Sequence, residues 1–232
     1  MKELLRNAIG RGQKALSEFD SKRLITMAGF PVSRNDLART REEAVAIAER
    51  LGFPVVLKGC SDTLTHKTEM GMVKLKLKTV SEVAEAYDEI TGKGARLDGG
   101  LVQEWIEGDK REFVVGLTRD PQFGPCVMFG LGGIFTEALR DVSFRIAPLS
   151  EMDAEEMIDE IQTRKLLGEF RGSPAVDRAE LVKALMGIGR LGLENDEIAE
   201  IDINPLIVDG DKPVAVDALV ILAAPKAGAK IA

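Results

Sequence analysis

Asp202 and Asn204 stand two apart in the apolar run EIAEIDINPLIV, and in an extended strand that spacing puts both side chains on one face. Past the tight turn DGDK, the run VAVDALVIL carries Asp217, which the turn is expected to bring back on the neighbouring strand. Carboxylate and amide oxygens converging from a strand pair suit Mg²⁺, which is usually held by one or two carboxylates with substrate phosphates. Polar groups inside an apolar strand are costly unless something satisfies them. Metal or nucleotide binding and a purely structural role therefore stand side by side for this pair.

Four further places carry chemistry of a weaker kind. Lys58 ends the apolar stretch FPVVLKG, where an ammonium could clamp phosphate or simply meet solvent. Glu104 and Glu112 flank the turn EGDK in apolar surroundings, able to accept from ribose hydroxyls or an adenine amino group, or to line an exposed hairpin face. The loop FGLGGIFTE can bring backbone N–H groups close to an anion, yet it lacks the Lys-Ser/Thr of a phosphate loop and has Phe135 where the dinucleotide fingerprint needs its last glycine. His66, in TLTHKTEMG, is the only histidine of 232 residues. It is a nucleophile near neutral pH or a solvated loop residue.

The elements that must position these groups follow from pattern. SEFDSKRLITMAG reads as a helix stopped by Gly29, and TREEAVAIAERLG as a second, with Ala44, Ile47, Ala48 and Leu51 on one stripe. FPVVLKG is a short buried strand, and MVKLKLK alternates Val73, Leu75 and Leu77 with lysines, predicting one buried and one positive face. A helix follows over 81–91. GLVQEWI and REFVVGLT then read as strands joined by EGDK, with PCVMFG and FRIAPL as further strands, helices near 151–167 and 177–193, and a last strand pair around DGDK. The expected division is an N-terminal helix and first lobe over 1–98, a second lobe over 99–225 with a mostly antiparallel sheet, and a tail over 226–232. The fold class is α/β (α+β).

Composition narrows the function classes. The chain is 45% hydrophobic and 30% charged, ordinary for a globular protein whose core needs no disulfide or metal staple. Cys60 and Cys126 show no framework spacing and are expected as reduced thiols in a cytoplasm. MKELLRNAIGRGQK lacks the apolar core of an export signal, and ALVILAAP is too short to span a bilayer, so no membrane role is expected. A formal net charge of −7 and a single Trp and Tyr argue against nucleic-acid binding.

Taken together, FPVVLKG, THKTEMGMVKL, RDPQFGPCVMFGLGGIFTEALRDVSFRIAPL and EIDINPLIV resemble the ATP-grasp fold, and within it the β subunits of ADP-forming acetyl-CoA synthetases (acetate–CoA ligases). The resemblance runs from SEFDSKRLITMAGFPV to VAVDALVIL. It implies two lobes with ATP or ADP and Mg²⁺ between them. Lys58 matches the phosphate lysine, Glu104 the position beside adenine and Glu112 a ribose contact. Asn204 and Asp217 match the metal-holding pair, with Asp202 in place of a glutamate, and His66 matches a histidine phosphorylated during turnover. In that scheme Glu137 orients the histidine and Arg145 neutralises the phosphoryl group. Met72 departs from the family, standing where a second glycine precedes the valine of GMV. The implied partner is a CoA-binding α subunit in a heterotetramer of two α and two β subunits. A carboxylate–amine ligase of the same fold, or a non-catalytic nucleotide-sensing subunit, are the other readings.

Overall fold

The computed structural model describes residues 1–63, 70–108, 111–133 and 139–224. The first half forms α1 (Lys2–Gly10), α2 (Glu18–Met27), β1 (Asn35–Ala38), α3 (Arg41–Leu51), β2 (Val55–Cys60), β3 (Val73–Leu77), α4 (Val80–Thr91) and β4 (Gly99–Glu104). The second half forms β5 (Glu112–Asp120), β6 (Gly124–Leu131), β7 (Val142–Ile146), α5 (Glu151–Glu160), a 3₁₀ turn (Gln162–Leu167), α6 (Arg178–Glu194), β8 (Ile198–Asp209), β9 (Lys212–Ala215) and β10 (Leu219–Leu222). Contacts divide the chain into two units, one of Met1–Leu16, Ser21–Val32 and Gly108–Ala232, the other of Ser17–Asp20 and Ser33–Glu107.

The smaller unit is an antiparallel sheet in the order β1-β4-β2-β3 with α3 and α4 on one face. Each helix starts on a threonine cap: Thr40 Oγ1 accepts the Glu43 N–H and Thr79 Oγ1 the Glu82 N–H, both at 3.2 Å. Such a cap is worth about 1 kcal/mol. Ala44, Ile47, Val83, Tyr87 and Ile90 of the helices pack on Val55, Leu57 and Val102 of the sheet. The expected alternation of β3 does not hold. Val55 faces Leu77 and Leu57 faces Lys74, so three steps on β3 oppose two on β2. Lys76 takes up the extra residue at φ +56°, as a bulge requires. Lys74 and Leu77 therefore both turn toward the helices, Lys74 reaching Glu89 of α4 at 2.6 Å, while Leu75 is left 60% exposed.

The larger unit is a sheet in the order β10-β8-β5-β6-β7, with β9 added on β8. Phe113, Val115, Val127, Phe129, Ile201 and Ile203 point to one face and form a single core with Met157 of α5, Leu185 and Ile188 of α6 and Leu24 and Ile25 of α2. Period two sends the alternate residues to the other face. There Leu219, Asp202, Gly116, Met128 and Phe144 form one row across five strands. Among the described residues no helix is long and apolar enough to cross a membrane.

Two boundaries differ from the sequence reading. GLVQEWI does not form a hairpin with REFVVGLT: β4 pairs with β1 and β2, whereas β5 pairs with β6 and β8. The break between units thus falls after Glu107 instead of at residue 98, and α1 joins the later residues, its Leu5 and Ala8 lying in their core. Strand pairing between distant segments decided this, and a local pattern cannot display it. The C-terminal run makes three strands, because β9 covers the second half of β8 and β10 the first. The tail from 225 onward lies outside the described residues.

Candidate functional site

Glu200, Asp202 and Asn204 alternate along β8 with Ile201 and Ile203, so burying the isoleucines puts all three polar groups on the open face. Asp217 does not sit on a strand, as the sequence reading had it, but in the connection between β9 and β10. The Val216 N–H donates to Pro205 O at 3.2 Å and Leu219 stands opposite Asp202, which together bring the Asp217 carboxylate within electrostatic reach of Asp202. Burial, then the charges of Glu200 and Asp217, push the Asp202 carboxyl up to about 6. Among the described residues no basic side chain pairs with Asp202. A half-buried carboxylate beside like charges is the donor chemistry that a divalent cation relieves. Among the described residues no group of three Asp, Glu, His or Cys could hold an ion by itself, so a cation here would need oxygens beyond such a group, of which the Asn204 amide on the same strand face is one candidate. Such a site fits Mg²⁺ better than a cation needing an all-protein cage.

In the smaller unit Lys58 is not a strand-end residue. It is fourth of six in β2, flanked by Val73 of β3 and Leu101 of β4. Leu57 goes to the helices, so Lys58 goes to the opposite face, where its Nζ lies 2.6 Å from Glu18 Oε1. Both side chains are buried, 8% and 1% exposed. Glu104, at the end of β4, accepts from the Arg34 backbone N–H and from Arg34 Nε, each at 2.6 Å. Its carboxylate is thus anchored, and the chain after it carries Trp105, whose indole donates to Glu107 and lies under the Lys76 ammonium.

His66 and Glu137 lie outside the described residues. The described chain next to the first of them is clamped: Lys93 Nζ donates to Met70 O at 3.1 Å and Gly71 O at 2.8 Å. Gly71 has φ +63°, and a Cβ there would stand 2.5 Å from that same Nζ. Met72 is buried in the core of this unit.

Glu112 opens β5 on the open face of the larger sheet, alternating with Phe113 of the core. The Gly132 N–H donates to the Glu112 carbonyl at 2.9 Å and Leu131 N–H to Asp141 O at 3.0 Å. These two amides of the glycine loop thus bind protein carbonyls, and a Cβ on Gly132 would collide with the Phe113 backbone. Close chain approach is what glycine provides at this point. Arg145 falls on the other side of the sheet from Asp202. It shares the helix-covered face with Ser143, which donates to Met157 O, and its guanidinium bonds Glu160 at 2.9 Å and Glu156 at 3.4 Å of α5. The hydrogen bonds it donates to the Glu160 carboxylate lead the effects that hold it firmly protonated.

Two residues of this geometry went unread in the sequence. Glu200 was visible as a third polar residue at period two, E-x-D-x-N. Glu18 gave no local signal, because it is separated by 40 positions from the lysine it meets.

A family model described as an ATP-grasp domain matches residues 7–222. The β subunit of acetate–CoA ligase [ADP-forming] I from Pyrococcus furiosus is 42% identical over 90% of this chain and 92% of its own. A solved acetyl-coenzyme A synthetase 1 from Ca. Korarchaeum cryptofilum, in complex with coenzyme A, Ca-AMPCP and HgCl⁺, superposes with a TM-score of 0.90 at 47% identity, covering 96% of this chain and 99% of that one. A second structure of it, with coenzyme A, acetyl-coenzyme A and a phosphorylated phosphohistidine segment, gives 0.87 at 46% identity over the same shares.

Proposed function

The chain belongs to the ATP-grasp domain family, and from that premise we propose that it is the nucleotide-binding β subunit of an ADP-forming acyl-CoA synthetase of the acetate–CoA ligase kind. The reaction is acyl-CoA + ADP + phosphate ⇌ carboxylic acid + CoA + ATP, and the chain is a ligase subunit. The end-to-end likeness to an archaeal β subunit carries this reading, since a shared fold alone would leave the chemistry open. A CoA-binding α subunit completes the enzyme, as a heterotetramer in the cytoplasm.

Lys58 binds nucleotide phosphates, and Glu104 and Glu112 take the adenine and ribose ends. Asp202, Asn204 and Asp217 hold Mg²⁺, a role the raised Asp202 carboxyl supports. When bound, Mg²⁺ supplies positive charge against the phosphates. His66 carries the phosphoryl group. Its neutral imidazole attacks the phosphorus of an acyl phosphate, the P–O bond to the acyl group breaks, and a carboxylate leaves. A terminal phosphate oxygen of ADP then attacks that phosphorus, the P–N bond breaks, and ATP and free imidazole result. Glu137 orients the imidazole. Arg145, on the helix-covered face and bound to α5 carboxylates, is given no part in the transfer.

The test is labelling of the full chain with ATP radiolabelled at its γ-phosphate. The label should be acid-labile and base-stable, as a phosphoramidate is, and His66→Ala should lose it while still binding Mg·ADP. An acyl phosphate, labile in both, would favour a carboxylate–amine ligase. No label would favour a sensing subunit. Near-normal turnover of His66→Ala with its partner would sink the relay.

A further inference from the structure

Glu18 has no assigned role, yet its carboxylate, 1% exposed, contacts the residue placed on the nucleotide phosphates. We infer that Glu18 is the positioning residue of Lys58: it fixes the ammonium on the face of β2 away from the helices and stays with it when phosphate arrives. The inference deepens the proposed function and rests on its placement of Lys58.

The geometry is specific. Ser17 Oγ accepts the Asp20 N–H at 3.2 Å, a cap that makes Glu18 the first residue of α2 and fixes the direction in which its side chain leaves. Residues 17–20 belong to the same unit as β2, so the pair is internal to one body. The Nζ–Oε1 distance of 2.6 Å is that of a charge-assisted hydrogen bond. Lys58 is a residue of the central part of the sheet, held by pairing with both β3 and β4, and its long side chain would otherwise choose among many rotamers. A carboxylate with 1% exposure at one end and a paired strand at the other remove that freedom. An ammonium has three N–H donors and Glu18 Oε1 accepts from only one, so a bond to Glu18 does not by itself bar contact with phosphate. The opposite arrangement, in which Glu18 competes with phosphate for the lysine, would make the pair inhibitory, and the two differ in sign.

Isothermal calorimetry on the full chain with Mg·ADP and with adenosine separates them. Glu18→Gln should weaken Mg·ADP by about tenfold, the scale seen when a partner orienting a ligand group is removed, and leave adenosine affinity unchanged. Glu18→Asp, which keeps the charge and shortens the reach, should lie between it and the wild type. Wild-type or tighter Mg·ADP affinity in Glu18→Gln overturns the inference, and so does equal weakening of Mg·ADP and adenosine, which marks a structural role only. If thermal unfolding finds Glu18→Gln unfolded, Glu18→Asp decides alone, and wild-type affinity there overturns it. The double variant Glu18→Gln/Lys58→Met tests the underlying reading. Undiminished Mg·ADP binding in it removes Lys58 from the phosphate site and this inference with it, whereas weak binding beside a wild-type Glu18→Gln removes the inference alone.

Discussion

Lys58 in the smaller sheet and Asp202 in the larger one are both ionisable residues on sheet strands, but their surroundings have opposite character. Lys58 has its counter-charge 2.6 Å away in Glu18, and both are buried. Asp202 has Glu200 and Asp217 for neighbours, and the three carry one sign. The first site is electrostatically complete within the protein, so its charges serve structure as well as any ligand. The second shows no basic partner for Asp202 among the described residues, and burial beside like charges is a cost that a bound cation would offset. Removing a partner should therefore damage the first site and relax the second.

The largest effect is expected at the complete site. Lys58→Met removes the ammonium 2.6 Å from the buried Glu18 carboxylate and should cost about 3–5 kcal/mol of stability, the scale for breaking a buried pair, measured by urea unfolding. The double variant Glu18→Gln/Lys58→Met should recover most of that, since replacing both members of a buried pair is often close to neutral. Wild-type stability of Lys58→Met would break the contrast between the sites.

At the acidic site the expected loss is in ligand binding. Asp202→Asn and Asp217→Ala should weaken Mg²⁺-dependent ADP binding by roughly two orders of magnitude, no less than the upper range for loss of a mere supporting partner. Binding without metal should change little, and chelation of Mg²⁺ should bring the wild type to the level of the variants. Calorimetry with and without chelator reads both, and unaltered Mg·ADP affinity in Asp217→Ala would remove the metal assignment.

A smaller effect follows from pH. Asp202 has a folded pKa near 6 against an ordinary 3.8, so between those values the folded state binds more protons than the unfolded one. Stability then falls as pH rises through that window and stays lower above it. Metal-free wild type should show this slope and Asp202→Asn should lack it, in unfolding midpoints taken across the window. Mg²⁺ affinity should run the other way, weakening as pH falls through about 6, because the ligand must lose its proton.

The smallest expected change tests the clamp beside His66. Gly71→Ala places a Cβ against Lys93 Nζ at a φ of +63°, a strain of about 1 kcal/mol. Turnover with the partner subunit should slow more than Mg·ADP affinity falls. Equal loss in both would mean that Gly71 serves only the fold.

The helices were legible because each depends on neighbours three or four residues away. Thr40 and Thr79 cap α3 and α4 from adjacent sequence, and the stripe of Ala44, Ile47 and Ala48 is the one buried. The pairing of Asp202 with Asn204 was legible for the same reason, as two steps on a strand fix a shared face. MVKLKLK misled, since its alternation is regular while the bulge at Lys76 is set by register against β2. GLVQEWI was placed with the wrong sheet because its partners, β1 and β2, lie far upstream.

What the sequence by itself determined about this protein was local: helix starts and stops, strand faces, the oxygen-rich character of EIDINPLIV, and, through long specific stretches, the family. Tertiary structure alone decided which charges meet. Glu18 reached Lys58 across 40 residues, Asp217 came to Asp202 through the switch from β9 to β10, and Arg145 went to the face opposite the acidic group. The reason is physical. Backbone geometry repeats over two to four residues and is written in short patterns, whereas a charge pair is fixed by which strands align and where a chain crosses, and these are set by the packing of the whole unit.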